Sequence, residues 1–416
     1  MVRGETTGNI PWPKLSIARA LAILTSFEAL FVLFLLAGRF KADPRFAWAP
    51  IDLTLLFFGL SILSALFLIV LRRIKVNKMA LGGVILYLTF SAWIGFTLIW
   101  APNNPYAAEK AVRVLTLVFW AYAGAALVIA NKPERVVRFY FLLVLAAVWF
   151  AAESWAVYIG SGSTEPHLER VLGGNYLGMG RVVGMAINIL VVGLLLGKEK
   201  GLFKIFSSII VMFFFVTLLI LGGRGPFIAT LMSTLVAFLL TRNLFKLMPI
   251  LLVMGVLLPI AAEVVPLTTL YRLQILLEEP SGGTSTQGRL QRIEGAWEQI
   301  TEAPVFGQGV GSFYWYHGDP SLERDYPHNI LLELAAETGL VGVSLFVFLV
   351  LFSIRKIQWT KISQHPLHFV AILMLVNTLL NAMVSGDIPD NRLLFTVLGL
   401  LTGLSSIPRA LSGRQG

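Results

Sequence analysis

The sequence predicts an all-α polytopic membrane protein with about twelve transmembrane helices and one large outer loop. Three observations support this fold class. Of the 416 residues, 56% are hydrophobic and 13% are charged, about half the charged fraction of a soluble domain. Apolar runs of roughly 20 residues, the length that crosses a bilayer, recur along the chain. The runs are continuously apolar rather than alternating, which favours helices over a β-barrel.

The predicted spans follow one another closely, so residues 1–416 are expected to form a single integral membrane domain. Residues 16–36 are too long for the apolar part of a signal peptide, and no small-residue cleavage site follows them. They are therefore interpreted as the first span. The twelve predicted spans are 15–37, 51–71, 79–100, 112–130, 136–159, 181–197, 203–221, 226–241, 244–262, 329–353, 366–385 and 392–408.

The positive charges predict which side each loop faces. With the amino terminus inside, most of the 33 Lys and Arg residues fall in short inner loops and tails, so both termini are predicted to be cytoplasmic. One outer loop disagrees, because it carries Arg39, Lys41 and Arg45. Orientation accounts for the net charge of +10, and no nucleic-acid partner is expected, because no basic soluble domain exists to carry one. Cys is absent, which excludes disulfides, thiol catalysis and Cys-based metal sites.

The outer loop 263–327 is far longer than a connection requires. Its residues 287–302 have the pattern of an amphipathic helix, with Pro304 just past the end. Ser285 or Thr286 is the expected amino-terminal cap. We interpret the loop as a folded lid on the membrane surface. The apolar residues that recur at helical spacing in it are Leu290, Ile293, Trp297 and Ile300.

Three polar segments lie at the outer ends of predicted spans: 222–226, 287–289 and 326–329. Charged residues at a membrane boundary are candidates for function. Two fixed cations suit a diphosphate, and a neutral imidazole can accept a proton from a hydroxyl. Together these groups supply the chemistry needed to move a sugar chain from a lipid diphosphate.

Arg224 lies in the first of these segments, between Gly223 and Gly225. The glycines permit a tight turn, and Pro226 suits the first turn of the next helix. That helix presents free N–H groups to an anion in the turn, and the guanidinium fork of Arg224 matches phosphate. The alternative is an arginine that snorkels to the interface without any function.

Arg289 and Arg292 are three residues apart on the predicted lid helix and therefore share a face. Arg289 is expected in the first turn, where an anion is favoured. The alternative is a solvated helix face on which the arginines pair with Glu294 or Glu298.

His328 directly precedes an apolar span, where it is placed to act as a general base near neutral pH. The alternative is an interface or capping histidine. No second His or carboxylate lies at metal-ligand spacing, so no metal site is predicted. Asp387 and Asp390 occupy the last outer turn, and either can orient His328, neutralise an arginine or bind a sugar hydroxyl. As a polar turn, they need no function.

No Walker loop or dinucleotide fingerprint is present, so no nucleotide or other cofactor is expected. Energy must then come with the substrate or from a gradient. Arg170 and Arg181, at the other long outer loop, are further candidates for contact with a donor or acceptor phosphate.

At these residues the chain resembles the O-antigen ligase and polymerase superfamily of bacterial envelope glycosyltransferases. The resemblance covers about residues 205–350, together with the twelve-span layout. The matching elements, in order, are Gly222-Gly-Arg-Gly-Pro-Phe-Ile-Ala, Gly288-Arg-Leu-Gln-Arg-Ile-Glu-Gly-Ala-Trp297, Ala303-Pro-Val-Phe-Gly-Gln-Gly-Val-Gly-Ser-Phe313, His328-Asn329 and Gly339-Leu-Val-Gly342.

The resemblance implies a periplasmic active site on the bacterial inner membrane, working without metal. It implies a glycan donor linked to undecaprenyl diphosphate, clamped by Arg224 and Arg289, and an acceptor hydroxyl activated by His328. The superfamily's acidic residue near the last outer turn is matched by Asp387. Arg292 and Asn329 belong to the same motifs and are predicted to contact substrate.

The resemblance to the superfamily does not identify the acceptor of the glycan. The His-Asn-x9-Gly-x-x-Gly pattern resembles ligases, which join O-antigen to the lipid A core. Polymerases, which join repeat units to one another, often carry arginine-rich motifs in both large outer loops, and the first long loop here has no clear match. A protein-directed oligosaccharide transferase is a third alternative. A transporter of lipid-linked sugars is a different class, but no inverted repeats or mid-membrane charged breaks point to one.

Overall fold

The computed structural model describes residues 22–40, 43–71, 74, 76–103, 105–160, 176–197, 201–241, 284–313 and 324–405. All regular structure within these ranges is helical, which confirms the predicted fold class. The longer helices are α1 (Phe27–Leu36), α2 (Leu53–Val70), α3 (Lys78–Phe96), α4 (Pro105–Asn131), α5 (Pro133–Gly160), α6 (Tyr176–Leu196), α7 (Gly201–Leu221), α8 (Arg224–Thr241), α9 (Thr284–Glu302), α10 (Ile330–Ile354), α11 (Pro366–Ala382) and α12 (Arg392–Leu404).

Eight helices in the described part of the chain are long and apolar enough to cross a membrane: α2 to α8, and α10. The apolar helix α11 is shorter. The predicted span 244–262 lies outside the described residues, as does the beginning of span 15–37. Helix α4 begins at Pro105, well before the predicted residue 112, because the polar stretch that ends with Lys110 and Arg113 is already helical.

Small residues let the helices approach closely around α12. A Cβ added to Gly399 would come 2.9 Å from the carbonyl carbon of Tyr122, and one added to Gly403 would meet the backbone of Ala126. The Tyr122 hydroxyl forms a hydrogen bond with Thr402 Oγ1 at 2.9 Å across the same interface. Close backbone contact and interhelical hydrogen bonds are the usual means of association inside a bilayer.

Two irregularities interrupt the helices that carry the candidate site. A π-helical segment, Val114–Val118, lies within α4. Helix α10 is kinked at Gly339, whose φ of 66° is in the left-handed region. The kink releases backbone groups that bond instead to the loop after α9: Leu340 N–H donates to the Pro304 carbonyl at 2.9 Å, and Gly309 N–H donates to the Glu337 carbonyl at 2.9 Å. The kink thus fastens the lid loop to α10.

The lid helix α9 begins at Thr284, earlier than predicted. Ser285 and Thr286 therefore lie inside its first turn, so the predicted caps are wrong, and Arg289 lies in the second turn rather than the first. The face that contains Ala296 and Gln299 is buried. The apolar residues Leu290, Ile293 and Trp297 are exposed instead. A surface of this kind suits contact with the membrane interface, which remains a prediction.

We predict that Gly399→Ala destabilises the protein by about 1–3 kcal/mol, because the new methyl group is forced against the backbone of α4. Gly59→Ala is the matched control, since an added Cβ there has nothing within 4 Å. Thermal unfolding in detergent would measure both variants. Equal melting temperatures for the two would contradict the close approach of α12.

Candidate active site

The outer-loop residues meet at one end of the helix bundle, around the turn that joins α11 to α12. This turn contains Asp387 and Asp390, and Gly386 within it has a φ of 79°. Asp387 is fully buried, although it lies in a connecting turn. A buried carboxylate requires partners, and those partners organise the site.

Asp387 accepts a hydrogen bond from the hydroxyl of Tyr106 on α4. Arg324 forms an ion pair with it at 2.7 Å, and the Asp390 N–H donates to its other oxygen at 2.9 Å. Burial, and then the nearby charge of Asp390, raise the pKa of the Asp387 carboxyl. Of the three roles predicted for Asp387, the structure favours neutralising an arginine, and that arginine is Arg324.

Arg324 also pairs with Asp390, at 2.7 Å. Burial opposes the charged form of Asp390, but the charge and hydrogen bond of Arg324, together with the charges of Arg181 and Arg392, outweigh that effect and lower the pKa of Asp390. The ring of Tyr326 lies 5.5 Å from the Arg324 guanidinium carbon. Arg324 therefore connects both aspartates of the turn to the segment that leads into His328.

A second charged group lies directly beneath this turn. Lys110 Nζ contacts Glu333 at 2.5 Å and Glu337 at 2.6 Å, and all three side chains are fully buried. The Glu333 carboxylate also accepts the backbone N–H of Ile388 at 3.1 Å. Glu333 thereby joins the first turn of α10 to the turn that carries Asp387.

His328 stands at the entrance to α10 in an unusual conformation. Its φ is 58°, and no other non-glycine residue in the described part of the chain has a positive φ. Backbone strain of this kind concentrates at functional sites. Its ring packs edge-on against Tyr326, with centroids 4.5 Å apart. The buried Nδ1 atom has no hydrogen-bond partner among the described residues. Burial first, and then Arg292 and Arg289, lower the pKa of His328 to about 4, so its imidazole is neutral at pH 7.

Asn329 has a structural role that the motif did not reveal. Its side-chain oxygen accepts the N–H groups of Leu331 and Leu332, at 3.0 and 3.2 Å, and so caps α10. The cap fixes the beginning of the helix immediately after His328. Contact between Asn329 and substrate stays a prediction.

The two lid arginines differ in their surroundings. Arg292 donates to Asp325 at 3.0 Å rather than pairing with Glu294 or Glu298. Asp325 also accepts the Tyr326 N–H at 2.8 Å, so this ion pair ties the lid helix to the His328 segment. Arg289 is half-buried and makes no hydrogen bond or ion pair with the described residues. It is close enough to His328 to affect the imidazole electrostatically.

Arg224 is the first residue of α8, after a turn in which Gly222 has a φ of 67°. The turn approaches the Asp387 turn closely, since a Cβ on Gly225 would come 2.9 Å from the side chain of Val384. Arg224 is half-buried at this boundary. The structure thus brings Arg224 to the same end of the bundle as His328.

Arg181, near the start of α6, is 7% exposed and donates to the Ser385 carbonyl at 2.7 Å. It therefore also contacts the Asp387 turn. Arg170 lies outside the described residues. Within the described ranges, no group of three His, Cys, Asp or Glu side chains is arranged to hold a metal ion.

Five residues around the site were not predicted from the sequence: Tyr106, Lys110, Arg324, Glu333 and Glu337. A signal existed for two of them, since Glu333 and Glu337 are four residues apart in an apolar span and must face a common partner. Arg324 stands four residues before His328, just ahead of the polar segment 326–329. Nothing in the local sequence identifies Lys110 as their partner, because it is separated from Glu337 by 227 residues.

The chain was compared with models of known protein families. Residues 208–347 match the family model described as O-antigen ligase. This match supports the predicted resemblance to the O-antigen ligase superfamily. The matched range contains Arg224, Arg289 and His328, and also Arg324, Glu333 and Glu337. No curated protein matches the chain.

We predict that Lys110→Met destabilises the protein by about 3–5 kcal/mol, because it leaves two buried carboxylates without their cation. The double variant Lys110→Met with Glu333→Gln should recover part of that loss, since one carboxylate is neutralised. Thermal unfolding in detergent would measure both. A Lys110→Met protein as stable as the wild type would show that the cluster does not hold α4 to α10.

Proposed function

We propose that this protein is an O-antigen ligase that transfers a glycan from undecaprenyl diphosphate to the lipid A core on the periplasmic face of the inner membrane. The supporting observation is that one segment, 208–347, both matches the O-antigen ligase family and contains Arg224, Arg289 and His328. In the structure these residues belong to three separate polar segments at one end of the bundle. The proposed reaction joins the glycan to a hydroxyl of the lipid A core and releases undecaprenyl diphosphate, without nucleotide or metal.

Arg224 and Arg289 are proposed to bind the diphosphate. Arg224 starts α8, so the free N–H groups of that helix add to its charge. Arg289 has no partner among the described residues, so its guanidinium is available to an anion. As the bond between the anomeric carbon and the diphosphate breaks, its electron pair passes to the diphosphate oxygen. Two preorganised guanidinium groups stabilise that charge, which makes the diphosphate a good leaving group.

His328 is proposed to act as the general base. Its neutral imidazole takes the proton of an acceptor hydroxyl while the hydroxyl oxygen forms a bond with the anomeric carbon. Attack from the side opposite the departing diphosphate inverts the configuration. The proton then leaves the imidazolium for solvent. A donor bound to Arg289 offsets the positive charge that lowers the pKa of His328, so the base becomes stronger when substrate is present.

Two other functions use the same residues or the same fold. A polymerase of the superfamily would transfer the glycan to another lipid-linked repeat unit. A transporter of lipid-linked sugars would move the glycan without forming a bond. The strained His328 beside Arg289 favours covalent transfer, because translocation needs no positioned proton acceptor.

The decisive test is transfer in vitro by purified protein, with undecaprenyl-diphosphate-linked O-antigen and lipid A core, in the presence of chelator and without nucleotide. We expect a glycan ladder on lipid A. His328→Ala should reduce the rate by about 10²–10⁴, the usual contribution of a general base. Arg224→Ala and Arg289→Ala should each reduce it by about 10²–10³.

The control for these variants is His365→Ala, which changes a histidine at the beginning of α11, in a predicted inner loop. It should transfer glycan at the wild-type rate. Elongated chains that remain on the undecaprenyl carrier would establish the polymerase instead. Translocation of the donor without any covalent product would establish the transporter.

The pH dependence of kcat/KM reports the base in the free enzyme. Because burial and the two lid arginines lower the pKa of His328 to about 4, activity should persist below pH 6.5 and fall only as the pH drops towards that value. Arg292→Gln removes a nearby positive charge, so the acid limb should move to higher pH. Glu294→Gln, on the exposed face of the same helix, should leave the limb unchanged. An acid limb at the same pH in Arg292→Gln as in the wild type would argue against His328 as the base.

A further inference from the structure

The outer loop that disagrees with the charge pattern supplies an arginine to the candidate active site. Arg39 ends a short 3-10 helix, Ala37–Arg39, directly after α1. Its guanidinium lies over Gly178 in the first turn of α6, since a Cβ added there would come 2.7 Å from Nε and 3.0 Å from Nη2. Its hydrogen bond to the Leu35 carbonyl is long, at 3.5 Å. The buried Nε has no partner among the described residues.

Two more arginines converge on the same place. Arg181 uses both Nη atoms on the Asp387 turn, but its buried Nε also lacks a partner in the described chain. Arg392 begins α12, and its Nη1 reaches the Phe34 carbonyl only at 3.5 Å. Its Nη2 would lie 3.1 Å from a Cβ added to Gly38, the residue before Arg39. We call Arg39, Arg181 and Arg392 the arginine cluster.

The arginine cluster has too little negative charge around it. All three members interact electrostatically with Asp390, which is already paired with Arg324 at 2.7 Å. Counting Asp387, and Asp52, which interacts with Arg392, four arginines face three carboxylates. Burial, followed by the charges of the other two members, lowers the pKa of Arg39 to about 9. Excess positive charge of this kind, in a partly desolvated site, is stabilised by an anion.

Arg45 provides a comparison, because it is an arginine whose donors are used by protein carboxylates. Arg45, in the same outer loop, pairs with Asp43 at 2.8 Å and with Glu153 at 2.7 Å. Its hydrogen bonds use Nε and both Nη atoms. Arg39 and Arg181, by contrast, each have a buried Nε that donates to no atom of the described residues. The cluster is also reachable, because Arg39 and Arg392 are only half-buried.

We propose that the arginine cluster is a second anion site, which binds a phosphate group. The unused Nε donors and the weakly bonded Nη donors of Arg39 and Arg392 match the bidentate geometry of phosphate oxygens. Three sources carry this chemistry: the donor diphosphate, a phosphate on the acceptor, and a bilayer phospholipid. Tyr326 interacts with both Arg181 and His328, so a phosphate in the cluster lies near the proposed base. The choice between donor and acceptor rests on the proposed function, whereas phosphate binding does not.

The first experiment measures binding of inorganic phosphate to the purified full-length protein, in a background with Arg224→Gln and Arg289→Gln that removes both arginines of the proposed diphosphate clamp. Arg39→Gln and Arg392→Gln should each weaken binding by about tenfold or more, the value of a lost charge-assisted hydrogen bond. Arg39→Lys should weaken it less, because it keeps the charge but loses the fork. Arg45→Gln is the matched control and should bind as the background does.

Thermal unfolding without phosphate accompanies each variant. If Arg39→Gln does not fold, Arg39→Lys and Arg392→Gln still decide the outcome. Binding that is equal in Arg39→Gln, Arg392→Gln and Arg45→Gln would overturn the anion site. This readout needs no transfer activity, so it separates failure of the anion site from failure of the proposed function.

The second experiment identifies the source from transfer kinetics with Arg39→Gln in the otherwise wild-type protein. A higher KM for the undecaprenyl-linked donor assigns the phosphate to the donor. A higher KM for lipid A core that disappears when the acceptor is dephosphorylated assigns it to the acceptor. Weaker phosphate binding with both KM values unchanged assigns the site to a bilayer phospholipid.

Discussion

The pairing of buried charges at one end of the bundle is the constraint on which the rest of the structure depends. Lys110, Glu333 and Glu337 lie at depths where water does not compete, so each must face the others. This requirement fixes α4 against α10. Two further hydrogen bonds fix the turn that contains Asp387: the Ile388 N–H donates to Glu333, and the Tyr106 hydroxyl on α4 donates to Asp387. The position of His328 follows, because α10 begins two residues after it.

The same region combines rigid and adjustable parts. The kink at Gly339 and the Asn329 cap hold both ends of the first part of α10, and backbone hydrogen bonds join the lid loop to it. Among the described residues, a partly exposed ion pair of Arg292 with Asp325 ties the lid helix to the His328 segment. The proposed base thus adjoins the capped beginning of α10, whereas Arg292 on the lid helix is held by an ion pair.

Arginines at the outer boundary fall into three groups by their partners. Arg45 is fully paired, and Arg324 is shared between two aspartates. Arg39 and Arg181 retain unused donors, and Arg289 is free of described partners. The third group retains donors for an anion, a role that is also proposed for Arg224 and Arg392.

The sequence by itself determined the fold class, the position of most spans, the lid helix and the segments that contain Arg224, Arg289 and His328, because apolar run length and short motifs are local properties. It placed the lid caps wrongly, since terminal turns depend on neighbours. The tertiary structure alone decided which charges meet. Tyr106 and Asp387 are 281 residues apart, and Arg39 reaches the site only because α1 packs beside the bundle. Such distant pairings cannot be predicted from local sequence, because desolvation and packing select them only after the helices assemble.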